Sequence, residues 1–299
     1  MRVGILGGGQ WGQALARLAI AAGNEPLIAY EGKRPPHVLP STDDPPTVSN
    51  NCELILVATS ASQLRDSIRK AKPHPGNRVV VAGRGIEPST GTWLTDVVLQ
   101  ECDTLRVGAL GGPAPVEEIL NGGLCAGVVA STFDEVNELT AEALHSPRYR
   151  VYLSSDLVGL QLAGAAVPVM AMLVGMSQGL QGAGVGLHAT VLARGMAEMG
   201  RLARAIGALD STLYGLAGMA DLVAVHSHPG KPFYEAGRAL AQGRRKDGPF
   251  DKATALLTMA TPHQVELPLT ETLVAIVDGA DPVHAIQKLM ARRAVREHG

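Results

Sequence analysis

The sequence predicts an α/β fold in which a Rossmann-type, doubly wound parallel sheet is followed by a mainly α-helical C-terminal domain. Short runs rich in β-branched residues alternate with segments of helical spacing through the first half of the chain, as expected for parallel strands joined by helices. A glycine-rich turn follows the first of these runs. From about Ser155 onward the pattern becomes long, helical and rich in Ala, Leu and Gly. We therefore expect a first domain at residues 1–154 and a second at 155–299.

The predicted strands are short apolar runs bounded by turn residues. They are Arg2–Leu6, Leu27–Tyr30, Leu54–Ala58, Arg78–Ala82, Val107–Leu110, Ala126–Ala130 and Val151–Leu153. Helical spacing predicts helices at Ala14–Ala22 and Leu64–Ala71. The stretch from Gly32 to Asn51 is rich in Pro, Ser, Thr and Asp, so we predict a surface loop there.

Composition and charge exclude several classes of protein. The chain has 299 residues, of which 46% are hydrophobic, and this is enough for two domains with sizeable cores. Its 26 basic and 28 acidic side chains predict no broad basic face for nucleic acid. The three cysteines, Cys52, Cys102 and Cys125, are odd in number and too far apart for a close-spaced metal motif. They favour a reduced, cytoplasmic protein over a secreted one, and no metal is predicted.

The sequence also predicts no targeting peptide and no membrane span. The chain passes from Met1 and Arg2 straight into an apolar strand, which leaves no room for a signal peptide. Leu157–Met176 is apolar enough to suggest a membrane helix. Because this segment contains Gln161 and Pro168 and lacks basic flanks, we predict a buried core helix instead.

The turn after the first strand has the spacing GxGxxG, with Gly7, Gly9 and Gly12 in the glycine positions and Gln10 and Trp11 before the last. Strand, turn and helix follow in the order that dinucleotide binding requires. The first glycine would allow a tight turn, the second would let the backbone approach a pyrophosphate, and the third would let the helix pack close to the strand. The positive end of the helix would face the phosphates. These five residues are predicted to bind NAD or NADP.

Glu31 follows the second predicted strand, about twenty residues past the glycines, where a carboxylate accepts hydrogen bonds from ribose hydroxyls. This position favours NAD. Lys33 and Arg34 come shortly after it, and cations there would hold the 2′-phosphate of NADP. Both NAD and NADP therefore remain candidate coenzymes. Because ligands of open α/β sheets bind at the carboxyl ends of the strands, a small-molecule substrate is expected in the cleft between the two domains.

Eight segments, taken in order, match the pattern of a known family. They are Gly7–Gly12, Leu54–Ala58, Gly83–Glu87, Gly111–Pro113, Gly159–Met199, Gly215–Val223, Pro268–Glu271 and Leu289–Arg293. Together they resemble the NAD(P)-dependent glycerol-3-phosphate dehydrogenase family over most of the chain. The resemblance implies a Rossmann-type domain followed by a helical domain, a cytoplasmic homodimer, and interconversion of dihydroxyacetone phosphate with glycerol 3-phosphate using NAD or NADP.

The resemblance implies an active site that keeps some family positions and changes others. The family's catalytic lysine and the asparagine after it correspond to Val167 and Pro168, and neither side chain can give or take a proton. A second family lysine, which touches coenzyme and substrate, corresponds to Arg84. Asp221 lies in the matched segment Gly218–Val223, where the family carboxylate is part of the active-site network.

Other candidates lie in or near the matched segments. Gly112, in the Gly-Gly-Pro segment, is predicted to contact substrate, as is Arg84. His226 and His228 come a few residues after Asp221 and are new relative to the family. Since His is the usual general acid near neutral pH, both are catalytic candidates beside Asp221. Lys231 lies next to the position of the family's phosphate-binding Arg-Asn pair and is a candidate for the substrate phosphate.

Three functions fit these residues. The first is an NAD(P)-dependent dehydrogenase that acts on the CH–OH group of a small hydroxy or keto compound, the family substrate included. The second is a coenzyme-binding protein without turnover, which would serve as a sensor or a partner subunit. The third is a dehydrogenase or reductase of a non-phosphorylated ketone or imine. Because losing a positioned acid or base costs about 10²–10⁴ in rate, we expect weak activity on dihydroxyacetone phosphate.

Overall fold

The structure is a computed structural model that describes residues 1–36, 38–87, 89–180, 182–226, 232–244, 248 and 250–292. By its internal contacts the chain divides into two compact units. The first comprises Met1–Ala165 and Gly207–Asp221, and the second comprises Ala166–Ile206 and Leu222–Gly299. The domain boundary expected between residues 154 and 155 stays a prediction.

An eight-stranded sheet lies within the first unit, in the order β3-β2-β1-β4-β5-β6-β7-β8. Its strands are β1 (Arg2–Leu6), β2 (Glu25–Ala29), β3 (Ser41–Thr42), β4 (Leu54–Val57), β5 (Arg78–Val81), β6 (Val107–Gly111), β7 (Cys125–Ala130) and β8 (Tyr149–Ser154). All neighbouring pairs from β3 to β6 are parallel. β4 is buried along its whole length, as expected for an apolar strand between two layers of helices. The predicted Rossmann-type sheet is confirmed.

Six helices accompany this sheet. They are α1 (Gln10–Ala21), α2 (Pro45–Asn51), α3 (Leu64–Ala71), α4 (Leu94–Glu101), α5 (Val116–Leu120) and α6 (Asp134–Leu144). Leu15 of α1 and Val136 of α6 belong to one buried apolar cluster, whereas Ile68 of α3 and Val97 of α4 belong to another. The two clusters are the two layers of a doubly wound core.

The predicted surface loop at residues 32–51 is corrected by the structure, because part of it is regular. Ser41–Thr42 pairs with β2, and α2 begins at Pro45. Proline is favoured at the first position of a helix, where its missing N–H is not needed. Val48 of α2 is fully buried. The high proline content therefore marks a helix start here as well as a loop.

The last two strands run against the rest of the sheet. β7 pairs with β6 in antiparallel register, and β8 pairs with β7 in parallel. The connection from β6 to β7 contains only the five-residue helix α5. At about 1.5 Å per residue such a helix is too short to retrace a strand that rises about 3.3 Å per residue, so the chain does not return for a parallel pairing. The predicted parallel sheet is thus corrected at this one edge.

The rest of the described chain is helical. It contains α7 (Leu157–Gly179), α8 (Val185–Ala205), α9 (Asp210–Tyr214), a π-helical turn (Leu216–Ala220), α10 (Asp221–His226), α11 (Pro232–Ala241), α12 (Phe250–Ala260), a 3₁₀ turn (Thr261–His263), α13 (Pro268–Val277) and α14 (Pro282–Met290). Within the second unit, glycine lets α7 and α11 approach closely. An added Cβ at Gly237 would lie 1.9 Å from the carbonyl oxygen of Met172. The predicted helical second half is confirmed.

Helix α7 is long and apolar enough to cross a membrane by length and composition alone. In its most apolar 18-residue window, however, 83% of the residues are buried inside the protein. Core helices of folded proteins meet the same criteria, so this helix is weak evidence for a membrane span.

Candidate active site

The glycine turn between β1 and α1 depends on the absence of side chains. Gly7 has a φ of +114°, a backbone conformation that other residues rarely adopt. A Cβ added at Gly12 would lie 1.9 Å from the carbonyl oxygen of Gly7, so only glycine lets the helix start this close to the strand. Around Gly9, the residue before α1, an added Cβ would meet nothing within 4 Å. The backbone there faces open space, as an approaching pyrophosphate requires.

A cavity of about 240 Å³ lies over this turn, and we call it the glycine-turn pocket. It is lined by Gly7–Gly9 and, on the side of β2 and α3, by Glu31 and Asp66. Lys70 lies 2.8 Å from a carboxylate oxygen of Glu31 and 2.7 Å from one of Asp66. The carboxylate of Asp66, and then that of Glu31, raises the pKa of Lys70 by hydrogen bonding. Glu31 thus lines this pocket beside a second acid, Asp66, that was not singled out from the sequence, and its contact with the ribose stays a prediction.

A second cavity, of about 320 Å³, lies at the carboxyl ends of β4, β5 and β6, and we call it the Arg84 pocket. It shares the segment Ala58–Ser60 after β4 with the glycine-turn pocket. Trp11 lines it, and the indole Nε1 of this residue donates a hydrogen bond to the carbonyl oxygen of Ala82 at 2.7 Å. Gly112, with a φ of +105°, lines it just after β6. Gln10 begins α1 with an exposed side chain.

Arg84 and Asp221 meet in the Arg84 pocket. The Nη2 atom of Arg84 lies 2.9 Å from Oδ1 of Asp221, and Nη1 also hydrogen-bonds to Oδ2. Asp221 is 3% exposed, whereas the side chain of Arg84 is 40% exposed. A guanidinium and a carboxylate joined by two hydrogen bonds fix each other's orientation. Both residues were candidates for the site from the sequence, but nothing in the sequence predicts that they contact each other directly.

The segment after Arg84 is held by a separate ion pair. Arg65 donates two hydrogen bonds to the carboxylate of Glu87, at 3.0 and 2.9 Å. The hydroxyl of Thr90 donates a third at 2.6 Å, and the backbone N–H of Glu87 donates to the carbonyl oxygen of Thr92 at 2.9 Å. The bonds from Arg65 lower the pKa of Glu87. This anchoring restricts the backbone from which the Arg84 side chain extends.

Some polar residues of the Arg84 pocket were not singled out from the sequence, among them Gln161, Thr59 and Tyr149. Gln161 of α7 accepts hydrogen bonds from the backbone N–H and the hydroxyl of Thr95, both at 3.1 Å. Thr59 Oγ1 and Tyr149 Oη are buried and have no hydrogen-bond partner in the described part of the chain. Gln161 lies in a matched segment, whereas Thr59 and Tyr149 do not. No local pattern assigns any of the three to the pocket, because they come to it through the tertiary fold.

The remaining candidates are divided between described and undescribed parts of the chain. Val167 is 2% exposed in α7, and Pro168 lies inside the same helix. His226 is the last residue of α10, and its side chain is outside the described structure. His228 and Lys231 lie outside the described residues. Their roles in the site stay predictions.

The residues present fit a dinucleotide. The backbone of the glycine turn is open to a phosphate because it carries no side chains. There is no room for one at Gly8, where an added Cβ would lie 2.7 Å from Cβ of Tyr30. The adjoining Arg84 pocket offers a charged pair, Arg84 and Asp221, and the two unpaired hydroxyls of Thr59 and Tyr149. Because buried polar atoms are rarely left without partners, unpaired hydroxyls in a pocket indicate a ligand. An elongated ligand with a phosphate part and a polar aromatic part suits both pockets.

A Rossmann-type sheet with a glycine turn and two adjoining pockets at the strand ends is typical of dinucleotide-binding enzymes. Comparison with known proteins narrows the class. The model of the NAD-dependent glycerol-3-phosphate dehydrogenase N-terminus matches residues 29–137, and that of the C-terminus matches residues 156–288. The chain belongs to the NAD-dependent glycerol-3-phosphate dehydrogenase family.

Individual relatives agree with this assignment. The chain is 33% identical to a glycerol-3-phosphate dehydrogenase (NAD(P)+) of Maricaulis maris, over 97% of this chain and 96% of the relative. It is 31% identical to one of Thermobifida fusca, over 99% and 98%. The crystal structure of glycerol-3-phosphate dehydrogenase from Coxiella burnetii superimposes with a TM-score of 0.84 at 25% identity, over 97% of this chain and 99% of that one. The predicted NAD(P)-dependent oxidoreductase is confirmed.

Proposed function

We propose that this chain transfers hydride between a nicotinamide coenzyme and a small hydroxy or keto compound, with glycerol 3-phosphate and dihydroxyacetone phosphate as the first pair to test. The observation that carries the proposal is the Arg84–Asp221 pair, in a pocket that shares a wall with the glycine-turn pocket. Relatives with the same overall extent are named for glycerol 3-phosphate. When bound, the coenzyme supplies the hydride acceptor or donor.

The proposed roles follow from charge and donor geometry. Arg84 keeps its positive charge at any working pH and presents several N–H donors, so it would orient and polarise the substrate oxygen. Asp221 would hold the guanidinium in position through both carboxylate oxygens. His226 and His228 are our candidates for the proton, and Lys231 for a phosphate group. These three assignments rest on chain position alone.

A non-phosphorylated ketone or imine is the second candidate, and the charge of the pocket favours it. Among the described residues that line the Arg84 pocket, Arg84 and Asp221 carry the only full charges, and they neutralise each other. A phosphate dianion is normally bound by charge-assisted hydrogen bonds, each contributing about 1.5–3 kcal/mol. A neutral carbonyl compound needs no such excess of positive charge.

The test is oxidation of NADH and NADPH by the purified protein, with coenzyme binding measured on the same sample. Dihydroxyacetone phosphate is compared with dihydroxyacetone, which has the same carbonyl without the phosphate. Faster turnover of the phosphate ester supports the first candidate, and faster turnover of dihydroxyacetone supports the second. Coenzyme binding without turnover of any carbonyl compound would favour a sensor or partner subunit, and absence of binding would contradict the proposal.

We further propose that the chain works as a cytoplasmic homodimer, with residues 1–154 binding coenzyme and residues 155–299 contributing substrate and dimer contacts. The family resemblance supports this arrangement. The three cysteines are free, which suits a reducing compartment. The mass of the purified protein, measured by light scattering after size-exclusion chromatography, would test the dimer. A mass equal to one chain at micromolar concentration would contradict it.

A further inference from the structure

Tyr149 has a buried hydroxyl group that lacks a hydrogen-bond partner in the described part of the chain. The residue is 1% exposed, yet it lines the Arg84 pocket. A phenol buried without a partner lowers stability, because it has lost its hydrogen bonds to water and gained none. Tyrosine hydroxyls that are buried usually find a partner. An unpaired one at the wall of a cavity therefore indicates that the partner belongs to a ligand.

A glycine on the neighbouring strand makes room for this hydroxyl. Tyr149 is paired with Cys125 in the parallel register of β7 and β8, and its ring extends along β7 over Gly127. A Cβ added at Gly127 would lie 2.0 Å from Oη of Tyr149. Gly127 in turn approaches Gly112, where an added Cβ would lie 3.4 Å from the Gly127 Cα. The phenol thus reaches from the start of β8 to the carboxyl end of β6, where the pocket opens.

The Arg84 pocket has two chemically different sets of lining residues. Arg84 and Asp221 are charged, whereas Trp11, Leu110 and Val116 are apolar and pack in the same cluster as Tyr149. A polar or charged substrate suits the charged residues. A nicotinamide ring, by contrast, needs an apolar surface for its face and one hydrogen-bond partner for its carboxamide. The apolar cluster offers that surface, and Tyr149, which belongs to the cluster, offers an unpaired hydroxyl beside it; the other unpaired hydroxyl of the pocket, on Thr59, lies outside the cluster.

We propose that the Tyr149 hydroxyl donates a hydrogen bond to the carboxamide oxygen of the nicotinamide ring and so fixes the rotation of the ring in the pocket. The inference rests on the proposed function only in that it requires a nicotinamide coenzyme. Burial raises the pKa of Tyr149, so the phenol remains a donor at any working pH.

The test compares affinities for NADH and for ADP-ribose, which lacks the nicotinamide ring, by calorimetric titration. Tyr149→Phe removes only the hydroxyl oxygen and keeps the ring against Gly127. We expect it to weaken NADH binding about 3- to 10-fold, as for loss of one hydrogen bond, and to leave ADP-ribose affinity unchanged. The control is Tyr152→Phe on the same strand, since Tyr152 is 42% exposed and its ring lies under the guanidinium of Arg150. It should change neither affinity.

The possible results separate this inference from the proposed function. If Tyr149→Phe binds NADH as tightly as the wild type, or loses affinity for NADH and ADP-ribose equally, the assignment to the carboxamide is wrong. The thermal midpoint of Tyr149→Phe should equal or exceed that of the wild type, because the removed oxygen has no partner in the described chain. If the wild type binds NADH but shows no turnover, the affinities for NADH and ADP-ribose still test the inference, because they do not depend on turnover. A wild type that binds neither compound contradicts both the inference and the proposed function.

Discussion

Arg84 and Asp221 form a two-point ion pair although 137 positions separate them in the sequence. Arg84 follows β5, and Asp221 is the first residue of α10. The carboxylate is buried, and the guanidinium is partly exposed to the pocket. The pair therefore presents oriented N–H donors while its net charge stays zero. This geometry suits polarisation of a substrate oxygen better than capture of a dianion.

The first prediction concerns Asp221→Asn, which keeps the shape of the side chain and removes its charge. Without the carboxylate, Arg84 loses its ion pair and one of its two hydrogen bonds to residue 221, so turnover should fall by about 10²-fold or more. Affinity for NADH should fall much less than turnover, because Asp221 does not line the glycine-turn pocket and is not part of the apolar cluster around Tyr149. The control is Asp134→Asn, an exposed acid in the first turn of α6. Unchanged turnover in Asp221→Asn would remove this residue from the site.

The second prediction is that the chain prefers NADH to NADPH. Two carboxylates, Glu31 and Asp66, line the glycine-turn pocket, while Lys33 and Arg34 are exposed and outside its lining. Lys70 offsets part of this negative charge from outside the lining. A 2′-phosphate would meet the carboxylates, whereas a 2′-hydroxyl would donate a hydrogen bond to one of them.

Coenzyme choice is tested by measuring the affinities for NADH and NADPH in the wild type and in Glu31→Gln/Asp66→Asn, and comparing the ratio of the two affinities. Removing both charges should shift this ratio toward NADPH by roughly 10-fold at low salt, and less at high salt, because exposed charges are screened. Glu53→Gln is the control, since Glu53 is exposed and pairs with Arg78. Equal ratios in the wild type and the double variant would show that these carboxylates do not select the coenzyme.

The local parts of the fold could be predicted from the sequence, whereas its long-range parts could not. The turn from Gly7 to Gly12 was predictable because local backbone geometry requires its glycines: Gly7 has a positive φ, and Gly12 lies close to the backbone of Gly7. Strand β4 was predictable because a short apolar run bounded by turn residues favours a buried strand. The reversal of β7 depends on the length of the connection before it, which periodicity does not reveal.

The candidate site shows the same division. Arg84, Gly112 and Asp221 were proposed from matched segments, and the structure places all three in one pocket. Tyr149 and Gln161 reach that pocket only because β8 lies beside β7 and because α7 packs near Thr95. A tyrosine that alternates with polar or exposed residues along a strand, as Tyr149 does in β8, looks like a core residue in the sequence. What distinguishes it is an unpaired oxygen, a property of three-dimensional surroundings.

The third prediction concerns the pH dependence of stability. Glu198 of α8 is 2% exposed and accepts hydrogen bonds from the backbone N–H groups of Leu269, at 2.6 Å, and Thr270 at the start of α13. Burial raises the pKa of Glu198 from 4.5 to about 7, although these hydrogen bonds oppose the rise. Between those pH values residue 198 is mostly ionised in the unfolded chain and mostly protonated in the folded chain. Stability should therefore fall as pH rises through this window, by about 3 kcal/mol, and level off above it.

Glu198→Gln removes this titration and keeps an amide oxygen that accepts from Leu269. The thermal midpoint of the variant, relative to the wild type, should therefore be several degrees higher at about pH 8 than at about pH 5. Glu138→Gln is the control, because Glu138 is exposed on α6. If the difference between Glu198→Gln and the wild type is the same at both pH values, the buried carboxylate does not titrate in this range.

The last prediction restores the residues that the family resemblance implies at positions 167 and 168. Val167 is 2% exposed, so a lysine there would lose hydration, and its lowered pKa would make it a better proton donor near neutral pH. Pro168 lies inside α7 without a backbone N–H, and asparagine would return that donor to the helix.

Val167→Lys/Pro168→Asn should raise kcat/KM for dihydroxyacetone phosphate by at least about 10-fold, at the cost of a lower thermal midpoint. The matched control, Val167→Met/Pro168→Asn, has a long side chain without charge and should show no gain. A folded Lys-Asn variant that binds NADH with no gain over this control would mean that the missing ammonium is not what limits turnover. The Arg84 pocket would then be built for a non-phosphorylated carbonyl compound, which the neutral Arg84–Asp221 pair already favours.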